Sequence, residues 1–97
     1  MNIIIKPSSK PEKKYTAIID NKKQIHFGAA GMSDFTKHKD TERKQRYIQR
    51  HKTNQDWNDP LTAGFWSRWL TWEKPTLKEA VSNINKKFKN INVKLQV

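Results

Sequence analysis

The chain has 97 residues, 20 Lys/Arg against nine Asp/Glu, a net charge of +11 and no cysteine. Without thiols, disulfides, thiolate zinc sites and cysteine nucleophiles are excluded, and no apolar run approaches the roughly 20 residues of a membrane helix. One domain of this size buries roughly two thirds of its unfolded surface, so four Trp, four Phe and two Tyr are expected to build one core although only 34% of residues are hydrophobic.

A single domain over residues 1–97 is expected. "MNIII" reads as a short edge strand, and it is too short, and lacks the basic start, to be a signal peptide. "KPSSKPEKK" (6–14), with two Pro, two Ser and four Lys, reads as a flexible linker. In "YTAIID" (15–20), Tyr15, Ala17 and Ile19 alternate with Thr16 and Ile18. "DNKK" (20–23) supplies Asp and Asn for a turn, and "QIHFGA" (24–29) puts Ile25 and Phe27 on one face, completing a hairpin. "GAAGMSD" (28–34) reads as a loop needing positive φ at Gly28 or Gly31, with Ser33 or Asp34 capping a short turn. A helix is predicted over about residues 40–52, with Tyr47 and Ile48 as its thin apolar side.

"TNQDWND" (53–59) is a polar loop around Trp57. Asp59 before Pro60 predicts a helix start, so that Leu61, Phe65, Trp69 and Trp72 form a buried stripe that Trp66 and Leu70 widen, with one ring, Trp66 or Trp57, left at the surface. Pro75 ends that helix. Thr76 with Glu79 three residues later is a capping-box pattern, and Leu77, Ala80, Val81, Ile84 and Phe88 follow at helical spacing. Ile91, Val93, Leu95 and Val97 alternate with polar residues as a half-buried strand. The fold class is therefore α+β, a small antiparallel sheet from the N-terminal hairpin and the C-terminal strand, packed against about three helices.

The densest charge lies between Lys37 and Lys52, where seven Lys/Arg face only Asp40 and Glu42. Lys39, Arg43, Arg46 and Arg50 share one side of the predicted helix, and Lys44 and Lys52 flank it. Cations spaced this way suit phosphates, and arginine forks suit bidentate contacts. The same residues would also serve as a solvated face with an ordinary Glu42–Arg46 pair. A net charge of +11 exceeds the magnitude of about 2–8 usual for a small domain and favours a polyanion partner. Arg68, between aromatic residues in "GFWSRWLTW", is a further candidate, although helical spacing makes those rings core first. The glycine-containing loop could present amides to a phosphate, but it matches no nucleotide-binding fingerprint. His26, His38 and Asp40 could meet near the loop as a metal or acid–base site. Asp40 and His51 are held about 16 Å apart along one straight helix and cannot share an ion.

The run "HFGAAGMSDFTKHKDTERKQRYIQRHKTNQDWNDPLTAGFWSRWLTWEKPTL" resembles small, basic, uncharacterised proteins of large double-stranded DNA viruses of algae and protists. The resemblance covers about residues 26–77. Phe35 stands where Tyr is common, Gln55 where Glu is common and Thr71 where an apolar residue is common. The resemblance implies no enzymatic activity. It implies a viral protein, in the virion or in a viral factory of the host cytoplasm; the missing signal peptide and membrane span separately lead to the expectation of a protein neither secreted nor membrane-bound.

The expected function is non-enzymatic binding of DNA or RNA through the phosphate backbone, by Lys37, His38, Lys39, Arg43, Lys44, Arg46, Arg50, Lys52 and Arg68 with the preceding glycine loop. No catalytic residue, metal ligand or cofactor is assigned. Two alternatives remain: a virion structural protein binding other virion proteins through an exposed aromatic patch, and a metal-dependent nuclease-like enzyme using His26, His38 and Asp40.

Overall fold

In the computed structural model, which describes residues 1–96, the alternating apolar runs at the two ends of the chain come together in one sheet. The elements in chain order are β1 (Asn2–Pro7), β2 (Lys13–Ile19), β3 (Lys23–Ala29), α1 (Phe35–His38), α2 (Thr41–His51), α3 (Ala63–Trp66) running on into a π-helical turn (Ser67–Thr71), α4 (Leu77–Lys87) and β4 (Asn92–Leu95). The sheet order is β3-β2-β1-β4. The class is α+β as expected, but the sheet is mixed: β1 pairs antiparallel with β2 and parallel with β4.

Two expectations at the N-terminus change. β1 is an interior strand, with Ile3 and Ile5 essentially inaccessible, because β4 returns to cover its free edge. The connection expected over residues 6–14 is confined to residues 8–12. Lys6 and Pro7 end β1, Lys13 and Lys14 begin β2, and the Ser8 amide donates to the Lys14 carbonyl. Pro7 is tolerated near the strand end, where few ladder bonds are lost. The β2–β3 connection forms as the sequence suggests. Asp20 and Asn21 both take positive φ and the Lys22 amide donates to the Ile19 carbonyl, the arrangement whose twist matches a hairpin.

Register aligns the inward rows. Ile3 lies between Ile19 and Val93, and Ile5 between Ala17 and Leu95, while Tyr15 faces Phe27. These side chains pack with Phe65, Trp66, Leu70, Ala80, Ile84 and Ile91 into one core, each fully buried aliphatic side chain contributing about 1.5–3 kcal/mol. Thr76 caps α4 by accepting from the Glu79 amide. The Asn85 side chain on α4 bonds both the amide and the carbonyl of Val93, which ties the helix to the edge strand. Val97, expected to continue that strand, lies outside the described residues.

The tryptophan-rich helix starts later than Asp59–Pro60 implies. Thr62 is the N-cap, accepting from the Phe65 amide, while Asp59 closes a preceding turn by accepting from the Leu61 amide. The buried stripe shifts accordingly. Phe65, Trp66 and Leu70 are fully buried, Leu61 is exposed, and Trp57, Trp69 and Trp72 are half-buried. The π-helical turn adds a residue to the winding and re-aims the side chains after Trp66. Trp66, which widens the predicted stripe, is the largest fully buried side chain, so of the two rings named for the surface only Trp57 keeps partial exposure. The rings of "GFWSRWLTW" therefore do not form an open aromatic patch.

Candidate polyanion-binding groove

Two short helices carry the basic segment because two aspartates cap them. Asp34 accepts from the Thr36 amide and opens α1. Its carboxylate, almost inaccessible, also takes the Lys14 ammonium at 2.6 Å, fixing α1 to the sheet. Lys39 then takes a left-handed conformation, φ 55°, and ends α1. Asp40 restarts the chain as the N-cap of α2, accepting from the amides of Glu42 and Arg43.

α2 is held down by one ring. Tyr47 is buried and stacks flat on Trp72, with centroids 4.3 Å apart and planes 2° from parallel. His51 packs on Tyr47 at 4.4 Å, and its Nδ1 hydrogen-bonds the Tyr47 carbonyl. Burial pushes the Tyr47 phenol up to about 12, so it stays neutral at any physiological pH.

The predicted cations divide into two groups. Lys44 and Arg68 turn inward to Glu73. Arg68 Nη1 donates to the Glu73 carboxylate at 2.7 Å, and Lys44 reaches the same carboxylate at 3.4 Å and the Glu73 carbonyl at 2.9 Å. Arg68 is buried, with its guanidinium 4.4 Å from the Trp69 ring centroid and 5.2 Å from that of Trp57. Burial raises the Glu73 pKa, but the hydrogen bond and charge of Arg68, joined by Lys44, outweigh it and leave the carboxyl below its ordinary value. These two cations hold α2 and the π-helical turn together and are not free for a ligand.

His38 also belongs to the packing. Its Nδ1 accepts the Asp40 amide at 2.9 Å, so the proton of the neutral ring sits on Nε2, which is buried without a partner. The ring packs between Phe35 and Trp72. Burial first, and the Arg43 charge second, hold the imidazole below its usual pKa. His26 is engaged at Nδ1 by the hydroxyls of Ser8 and Thr16. Among the described residues, no group of three or more His, Asp or Glu side chains is placed to share a metal ion.

The second group faces out. Lys37, Lys39, Arg43, Arg46, Arg50 and Lys52 are exposed, and among the described residues none of them makes an ion pair. Arg43, Arg46 and Arg50 border a groove of about 520 Å³ whose other wall is Met32 and Ser33 and which Trp72 also lines. A second hollow of about 560 Å³ shares Met32, Ser33, Arg50 and Trp72 and continues past Gly28 and Tyr47 to Gly64. The glycine loop thus meets α2 across a concavity. Gly28 and Gly31 both take positive φ, and the amides of Ala30 and Met32 are already donated to the carbonyls of Glu12 and Ala29. The loop also brings Met32 to the groove, whose side chain is exposed although apolar.

Gln49 and Trp72 are not among the site residues the sequence points to, and Met32 and Ser33 enter there only as part of the glycine loop. Trp72 falls in the helical apolar stripe and reads as core. Met32 reads as loop filler, although a lone large apolar residue in a polar loop is a signal of a contact surface.

The family model described as "Family of unknown function (DUF5754)" matches residues 3–51, and the chain belongs to that family. The match runs from β1 to the last residue of α2, so it includes all three arginines of the groove. No curated protein and no solved structure matches the chain. No helix among the described residues is long and apolar enough to cross a membrane.

Proposed function

We propose that this member of DUF5754 is a non-enzymatic nucleic-acid-binding protein whose phosphate contacts are made by the outward cations of α1 and α2. The observation that carries the reading is that Arg43, Arg46 and Arg50 stand exposed on one groove and, among the described residues, make no ion pair, while the carboxylates of Asp34 and Glu73 are committed to other cations. Three adjacent guanidiniums repel one another unless an anion lies between them, and their forks match phosphate oxygens. Lys37, Lys39 and Lys52 extend the field at the two ends of α2. His38, Lys44 and Arg68 drop out of the contact set because packing and Glu73 occupy them. The setting that goes with this reading is the one implied by the motif resemblance, a virion or viral factory, where genome-length polyanion is abundant.

The test is the salt dependence of binding. Each phosphate contact contributes about 0.7–0.9 to the slope of log affinity against log salt. Replacing Arg43, Arg46 and Arg50 together by Ala should lower that slope by about 2–3 and leave the urea midpoint within error, since all three side chains are exposed. A wild-type slope and affinity in the triple variant would remove α2 from the interface.

A further inference from the structure

The shape of the basic surface narrows the class of nucleic acid, given that the phosphate-binding reading above holds. A helix that enters a duplex groove presents its most outward ridge to the bases. On α2 that ridge is the line opposite the buried Tyr47, and at 3.6 residues per turn it carries Glu42, Gln45 and Gln49 rather than the arginines. Arg43, Arg46 and Arg50 stand to one side, on the wall of a concavity. The same concavity is lined by Met32, whose apolar side chain is 64% exposed, and by Trp72, whose ring Tyr47 backs in parallel.

We infer that the groove takes a single-stranded segment, one unstacked base lodging against Trp72 and Met32 while the adjoining phosphates lie on Arg43, Arg46 and Arg50. The dimensions suit this occupant. About 520 Å³ accommodates a nucleotide but not the side of a duplex, whose bases are stacked inward. The chemistry suits it as well. Single-strand sites combine a cationic track with aromatic faces, and stacking tolerates any base. A rigid wall is needed for stacking to be effective, and the Tyr47–Trp72 pair, with His51 on Tyr47, provides one. Gln49, at the groove edge, offers both a donor and an acceptor to a base edge.

The test compares four probes by fluorescence anisotropy at one salt concentration: a thymidine oligomer of about 12 nucleotides, within the usual span of such sites, an abasic oligomer with the same phosphates, the corresponding duplex, and heparin. The thymidine strand should bind about tenfold more tightly than the abasic strand, the size of one stacked base, and more tightly than the duplex. In Met32→Ser, which alters an exposed loop residue and no core contact, the difference between thymidine and abasic strands should shrink while the salt slope stays unchanged. Equal affinity for thymidine and abasic strands, or tighter duplex binding, would overturn the single-strand site and leave phosphate binding standing. Failure to bind any nucleic-acid probe, with or without heparin binding, would overturn both.

Discussion

Replacing Glu73 by Gln keeps the volume of the side chain and removes the one negative charge on which Arg68 and Lys44 converge. Arg68 is buried and its Nη1 sits 2.7 Å from the carboxylate. Breaking a buried pair by removing one partner costs about 3–5 kcal/mol, because the other charge is left uncompensated. Two features reduce that figure. The Glu73 side chain keeps 20% of its exposure, so water screens part of the loss, and the rings of Trp57 and Trp69 still face the guanidinium. An expected loss of about 2–3 kcal/mol at neutral pH follows, which lowers a urea midpoint by about 1–2 M for a domain of this size.

The pH dependence gives the assay its second axis. The folded-state pKa of Glu73 lies below its unfolded value, so its contribution is complete above the unfolded value of about 4.3 and disappears as pH falls through the folded one. The gap between wild type and Glu73→Gln should therefore close as urea titrations are repeated from about pH 7 down to about pH 3. Adding Arg68→Met to Glu73→Gln removes the stranded cation and should recover part of the loss. A gap under about 1 kcal/mol at neutral pH, or one that stays constant on acidification, would show that Glu73 does not organise these cations.

Core and cap assignments give two further tests. Trp66→Ala should cost about 3–5 kcal/mol by calorimetry or urea unfolding, because Trp66 is fully buried against Phe27 and Phe65, whereas Trp69→Ala, at a half-buried ring, should cost visibly less; the reverse order would contradict the shifted stripe. Thr62→Ala should cost about 1 kcal/mol as the loss of an N-cap and exceed the cost of Asp59→Ala, which removes only a turn contact; equal costs would return the helix start to Asp59.

Much of the fold is legible as alternation and capping. Ile3, Ile5, Ala17, Ile19, Ile25, Phe27 and Val93 are apolar at period two and all face the core. Asp20–Asn21 and Thr76–Glu79 announce a turn and a helix through local chemistry that needs no tertiary partner. The failures are those where a non-local contact decides. Residues 6–14 have a linker's composition, but pairing of Lys6 with Thr16, Pro7 with Tyr15 and Lys13 with Ala29 draws both ends of the stretch into the sheet. β4 joins β1 in parallel because α4 carries the chain back along the sheet, and no pattern within Asn92–Leu95 encodes that direction. Pro60 after Asp59 is a sound local start signal, yet the side-chain oxygen of Thr62 bonds the amide three residues on. The π-helical turn after Trp66 then breaks the 3.6-residue spacing on which the predicted stripe depends.

The basic segment was legible as charge but not as partners, and the partners determine which cations are left for a ligand. Lys44 and Arg43 are neighbours with the same sign, but one turns inward to the carbonyl and carboxylate of Glu73, 29 residues later, and the other stays on the groove. No helical spacing links Lys44 to Glu73, because the link exists only once Tyr47 has stacked on Trp72 and laid α2 against the π-helical turn. That same stack leaves Trp72 lining the groove beside the three outward arginines. One aromatic contact therefore separates Lys44, which joins Arg68 in stabilising the fold, from the three arginines that border a ligand-sized concavity. A substitution that loosens the stack should mix the two roles, weakening polyanion binding and the Glu73 cluster together. Substitutions at Arg43, Arg46 or Arg50 should separate them.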